Sequence, residues 1–427
     1  MPLNVPETGQ KRIVVIGAGF AGMAFLKKMV KSDYQLVVID RNNFHQFQPL
    51  YYQVAMAGLE PSSISFPLRK AFQGKKNVFI RVAEFERLDA ENKQIHTSGG
   101  YLNYDILIIS AGATTNFFGD KNLEQHTYGL KSVSESLALR NDILMHYEKA
   151  LTERDYEKRQ GLIDIVIVGG GATGVELAGA LVEMKRFILP KDYMELDNKE
   201  VDIYLVQSGP RLLPGMSDYA SDRAQQFLEK MGVQVLTGTR VVSYDGESVI
   251  TKDGRQIRTR KVIWAAGVRG EDIEGLKQNE LPRGNRIRVD QFCKVHDYDD
   301  IYAIGDIAYM ENEEYENGHP QVAPVAIQQA RFLAKSFKKG FKKPFSYRNR
   351  GSMATVGRNK AVVDMPSFSF SGFTAWAMWL FVHLFSIIGT KNKVFVFLNW
   401  LWSYFTYDQS LRLIINPKRR NNKEESS

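Results

Sequence analysis

The sequence predicts an α/β protein made of two parallel-sheet units, the second inserted in the first, with a separate helical segment at the C-terminal end. Three observations predict it. A strand, glycine turn, helix, strand pattern occurs twice, at 12–40 and at 164–207. Further β-branched runs end in glycine turns at 104–113, 261–268 and 300–306, so strands that suit the first unit recur after the second. Beyond Asp364 the chain becomes abruptly apolar and aromatic. A length of 427 residues exceeds one ordinary core and suits two or three domains. The expected division is 1–125 with 280–365, then 126–279, then 366–427.

The first unit opens with RIVVI at 12–16, followed by Gly17-Ala18-Gly19-Phe20-Ala21-Gly22, a helical pattern to Val30, and QLVVI ending at Asp40. Each glycine has a reason. Gly17 permits the tight turn, Gly19 lets backbone approach a pyrophosphate, and Gly22 lets helix and strand pack closely. The helix start then offers free N–H groups and a positive dipole end to phosphates. A carboxylate at the next strand end, Asp40, can accept both ribose hydroxyls. The second unit repeats the device with DIVIV, Gly169-Gly170-Gly171-Ala172-Thr173-Gly174, the helical VELAGALVEMKRF, and a strand ending at Gln207. Both are Rossmann-like dinucleotide sites. An amide at Gln207 still bonds ribose but does not repel a 2′-phosphate, so the second site is expected to take NADH or NADPH.

Two dinucleotide sites in one chain suit one resident FAD and one visiting NAD(P)H, with hydride passing between them. Asp306, in the Gly305-Asp306 turn, is then a candidate contact for the flavin's ribityl hydroxyls; its plain alternative is a surface turn.

Composition removes other chemistries. Cys293 is the one cysteine, so a dithiol relay, an iron–sulfur cluster and a CxxC zinc site are excluded. The seven histidines show no metal spacing, and no metal is expected. The net charge of +8 comes without a nucleic-acid motif, so no nucleic acid partner is expected, and anionic lipid is an alternative source of attraction. Met1 to Lys11 carries no apolar run of signal-peptide type, which predicts the cytoplasm or the cytoplasmic face of a membrane.

The C-terminal segment holds two apolar arms, TAWAMWLFVHLFSII from Thr374 and VFVFLNWLWSYFTY from Val394, separated by Gly389 to Lys393. Neither reaches the roughly 20 residues that cross a bilayer as a helix. Asn399, Ser403, Thr406 and Ser410 fall at helical spacing on one face, as in a helix lying in an interface. The tail carries Lys418, Arg419, Arg420 and Lys423.

The chain resembles the type II NADH:quinone oxidoreductases. The resemblance rests on the first glycine motif, on Asp40 through Ala55 (DRNNFHQFQPLYYQVA), on Ser110 through Gly119 (SAGATTNFFG), on GGGATGVELAG, on AIGD, on Ala323 through Gln329 (APVAIQQ), and on the aromatic arms. It implies oxidation of NADH, reduction of a membrane quinone without proton pumping, docking on one leaflet, and a homodimer. It implies FAD contacts at Gly17, Gly19, Asp40, Gln53, Ala111, Gly112 and Asp306, and a nicotinamide site at Gly169, Gly171, Gly174 and Gln207. Glu176 matches a family glutamate near the nicotinamide and quinone; without the resemblance the favoured reading is a first-turn acid on a helix dipole. Lys360 could balance charge on the flavin, or be a solvated lysine. Many relatives have Glu at 207 and Gln at 324. Pro324 lacks that amide, so Ile327, Gln328 or a backbone group would contact the quinone instead.

Two other readings stay open at this level. One is a soluble reductase of the same fold serving an acidic redox protein, its arms forming a dimer interface. The other is a non-enzymatic NAD(H)-sensing scaffold. Sulfide:quinone reductases share the layout but need reactive cysteines.

Overall fold

The computed structural model describes residues 1–277, 282, 284–408 and 411–415. The expected boundary at 280, Ser410 and the basic tail residues from Lys418 to Lys423 lie outside the described residues.

Two parallel sheets organise the chain. The first has the order Ile301–Ala303, Ile106–Ile109, Arg12–Ile16, Gln35–Asp40, Val78–Val82. The second has the order Gln234–Leu236, Ile203–Val206, Ile165–Val168, Val262–Trp264. Residues from both sides of the second sheet therefore build the first. Strands Arg12–Ile16 and Ile165–Val168 are buried along their whole length, which is why they read as unbroken β-branched runs rather than alternating ones. Each lies inside its sheet, with neighbours on both sides reached by opposite crossovers. The carboxyl end of such a strand is where open α/β sheets bind ligands. Antiparallel strands Ala113–Thr115 and Val268–Gly270 pair across the two units.

Helix Phe20–Met29 follows the first glycine turn and packs on Ala323–Lys339, where Pro324 occupies the first turn and leaves no orphaned N–H of its own. Helix Ala172–Phe187 follows the second turn. It packs against the hairpin Ser352–Thr355 and Ala361–Asp364, which leads into the C-terminal helices.

Those helices run Phe373–Ser386 and Thr390–Thr406. The break is narrower than the sequence suggests: Gly389, at φ +90°, turns the chain and the second helix starts at once. No described helix is long and apolar enough to cross a membrane. The helices are fixed to the body by few residues. Trp379, Ile387 and Val396 are buried in the same core as the second sheet. Asn392 Nδ2 donates to the carbonyls of Ser62, Ser63 and Ser65 at 2.9–3.1 Å. Asn399, Ser403 and Thr406 are half-buried, whereas Phe381, Phe385, Trp402 and Phe405 are 60–74 % exposed. The polar stripe thus faces the protein and the aromatic face looks outward.

Candidate active site

Both glycine turns are built alike. Gly17 has φ +91° and Gly169 has φ +116°, a region only glycine enters freely. A Cβ on Gly22 would collide with the Gly17 carbonyl, and one on Gly174 with the Gly169 carbonyl. Gly19 and Gly171 have open space where a Cβ would stand, so each helix start presents bare backbone. The strand-end side chains brace the turns. Asp40 accepts the Ala18 N–H and the Asn42 N–H, each at 2.7 Å. Gln207 Oε1 accepts the Gly170 N–H at 2.8 Å. Each carboxylate oxygen of Asp40 keeps a further lone pair for a ribose hydroxyl. Burial raises the Asp40 pKa, and these N–H groups oppose the rise.

One cleft of about 1740 Å3 joins the two turns. Gly17, Gly19, Asp40, Ala111, Gly112 and Asp306 line one part, and Gly171 and Thr173 another. Glu176, Pro324, Ile327 and Gln328 line it as well, and Met378, Val382 and His383 of the first C-terminal helix close one wall. Ser110 Oγ donates to the carbonyls of Ile16 and Gly17 at 2.9 and 2.8 Å, holding the first turn beside Ala111.

Asp306 lines the cleft at the Gly305-Asp306 turn. Gly305, at φ +81°, donates its N–H to Gln329 Oε1 at 2.8 Å, and the Asp306 carbonyl accepts from Gln321 Nε2 at 2.9 Å. Burial raises the Asp306 pKa, opposed by the positive charges of Lys131 and Arg286. Lys131 also lines the cleft, and burial lowers its pKa. Sequence reasoning missed Lys131, Gln321 and Gln329. Gln329 closes the APVAIQQ motif, so a signal existed for it; Lys131 lies in a stretch with no motif.

Glu176 is a buried acid in the cleft wall. It is 8 % exposed, and burial raises its pKa to about 8. Its Oε1 accepts from Trp379 Nε1 at 3.1 Å and from the Thr355 N–H at 3.4 Å. A solvated acid stabilised by a helix dipole would show neither the burial nor the upward shift, so the plainer sequence reading fails.

Three predicted residues are engaged elsewhere. Gln53 does not line the cleft; its amide donates to Tyr52 Oη at 2.8 Å and accepts from Trp400 Nε1 at 2.7 Å, tying the second C-terminal helix to the core. Gln328 reaches the cleft margin, but both its amide atoms pair with the Arg348 backbone at 3.0 Å. Lys360 lies in the hairpin turn outside the cleft lining, where its charge lowers the raised pKa of buried Glu183. Cys293 is buried with its thiol pKa pushed up, so it is inert.

Residues 11–330 match the pyridine nucleotide-disulphide oxidoreductase family, and residues 349–406 match the NDH2 C-terminal domain. A type II NADH:quinone oxidoreductase of Mycobacterium tuberculosis is 33% identical over 416 residues, covering 92% of this chain and 88% of the relative. The chain belongs to the type II NADH:quinone oxidoreductases. An internal alternative NAD(P)H-ubiquinone oxidoreductase of Arabidopsis thaliana is 28% identical, over 93% of this chain and 85% of that protein. The NDH2 structure from Plasmodium falciparum in complex with NADH has the same fold, with TM-score 0.85 and 20% identity over 95% of this chain and all of that one.

This type II enzyme oxidises NADH, reduces a quinone and uses FAD. The FAD fits the residues present: bare backbone at Gly19, an acid at the following strand end, and Asp306 in the wall of the same cleft.

Proposed function

We propose that Glu176 holds the proton delivered to the reduced quinone, in a site that the quinone enters from a membrane leaflet beneath the C-terminal helices. The overall reaction is NADH plus H⁺ plus quinone giving NAD⁺ plus quinol. Bound FAD would supply the two-electron chemistry that couples NADH oxidation to quinone reduction. The protein supplies the rest. In this reading Gly17, Gly19, Gly22, Asp40, Ala111, Gly112 and Asp306 hold the FAD, and Gly169, Gly171, Gly174 and Gln207 hold the nicotinamide dinucleotide. Pro324 and Ile327 give the quinone an apolar wall.

The observation that carries the reading is the state of Glu176. With its pKa at about 8 it keeps its proton at neutral pH, within a cleft that touches both glycine helices and the C-terminal wall. A neutral carboxyl with one oxygen fixed by Trp379 is a positioned general acid. Replacing it by glutamine removes the transferable proton and keeps the shape. Quinone turnover should fall with FAD still bound and with reduction of a soluble dye spared. Unchanged quinone turnover in Glu176→Gln would overturn the assignment.

The outward aromatic face supports docking on one leaflet. Exposed large aromatic side chains gathered on one face mark an interaction surface, and a bilayer is where quinones dissolve. Because Trp379, Ile387 and Val396 belong to the core, deleting the segment would damage the fold. Substituting the exposed Trp402 and Phe405 by glutamate is the cleaner test. It should release the enzyme from liposomes while leaving dye reduction intact; retained liposome binding would remove the docking proposal. The same reading has the enzyme on the cytoplasmic leaflet as a homodimer. A monomer by analytical ultracentrifugation would remove the dimer.

A further inference from the structure

His383 lines the cleft and has one ring nitrogen left over. Its Nδ1 lies 2.8 Å from the Trp379 carbonyl oxygen, one helical turn back. A carbonyl only accepts, so the proton sits on Nδ1 and Nε2 carries a lone pair. Burial lowers the pKa of the ring to about 4, which keeps it neutral. The imidazole stacks on the Trp379 indole at 4.0 Å and 22°, which fixes the plane in which Nε2 points. Among the described residues Nε2 has no hydrogen-bond partner. On the same helix, Ser386 Oγ is taken up by the Val382 carbonyl, to which it donates at 2.7 Å. The facing ring is Phe47, edge-on at 6.3 Å, which offers no donor.

A bare acceptor in a mostly apolar wall needs a donor from the ligand. The quinone has two carbonyl oxygens and no donor. The quinol has two O–H groups. We propose that Nε2 of His383 is the hydrogen-bond acceptor for a hydroxyl of the quinol, so that this wall distinguishes product from substrate. Trp379 then sets both ends of the contact. Its indole N–H holds the carboxyl of Glu176, and its carbonyl and ring hold the imidazole. This inference rests on the reading that the quinone uses this cleft.

The test uses the full-length enzyme, a short-chain quinone and its quinol as added inhibitor, with flavin content reporting folding. His383→Phe keeps a ring against Trp379 and removes the acceptor; His383→Gln offers an amide oxygen in its place. The quantity read is the quinol inhibition constant divided by the quinone KM. The ratio should rise about three- to tenfold in His383→Phe, the scale of one hydrogen bond, and recover part-way in His383→Gln. An unchanged ratio, or a KM and an inhibition constant that rise in parallel, would make His383 a plain wall residue and overturn the proposal. Val382→Trp separates the two layers. If it raises the quinone KM while the His383 ratio stays flat, the acceptor role alone fails. If it moves neither constant, the quinone does not use this cleft and the underlying reading fails with it.

Discussion

The two glycine turns share one backbone and differ in what surrounds them. In each, a left-handed glycine, a packed third glycine and a strand-end oxygen on the middle N–H recur at matching positions. The first turn is closed by an acid that takes two N–H groups, and Asp306 is fixed beyond it. The second is closed by an amide that takes one, and its helix carries a buried acid at Glu176 where the first has Ala24. In the proposed function the first arrangement holds its ligand, and the second exchanges its ligand and reacts. Backbone geometry sets where a dinucleotide lies; the side chains around it set what is done there.

The comparison breaks most completely if the turns are not separable. Gly22→Val should abolish flavin retention, and Gly174→Val should abolish NADH binding while flavin stays bound. Each side chain meets backbone that cannot move, a cost of about 3 kcal/mol or more. Flavin content and NADH titration check this; loss of both ligands in both variants would mean the sites are one unit.

Next comes Glu176→Gln, with quinone turnover down about a hundredfold, on the scale of one general acid. Because the wild-type carboxyl must be protonated, turnover should decline as pH rises through about 8, and the variant should lose that limb. Stability moves in the same window. The native state holds this proton more tightly than the unfolded chain, whose carboxyl titrates near 4.5. Wild-type stability from this group is therefore lost as pH rises from there to about 8. The melting temperature of the variant relative to wild type should rise across that range.

A smaller effect is expected at the second strand end. Gln207→Glu keeps an oxygen for the Gly170 N–H but faces a 2′-phosphate with a charge. It should cost NADPH about 1–3 kcal/mol in kcat/KM and leave NADH little changed. Equal loss for both would show that position 207 does not face the ribose. Smallest is Pro324→Gln, which restores an amide donor to the cleft. It should lower the quinone KM by about threefold, one weak hydrogen bond. Steady-state kinetics reads both.

The two turns were fully legible in sequence because their requirements are local: a few glycines, a strand before, a helix after. Glu176 was visible only as a position; its indole partner, Trp379, lies some two hundred residues later. Gln53 and Gln328 looked like ligand contacts, yet each is engaged by a distant partner, Trp400 and the Arg348 backbone. Lys131 reaches Asp306 from a stretch without pattern. Periodicity reports which face of an element is buried, not what lies across from it. The second C-terminal arm makes the same point: its polar stripe was evident from spacing, but that the stripe faces the protein was not.

The most direct test of the account follows the electrons through both sites in one sample. Anaerobic NADH should bleach the visible band of the bound flavin, and added quinone should restore it with one quinol formed per NADH consumed. A band that NADH leaves unchanged, or that quinone does not restore, would contradict a single cleft serving both turns.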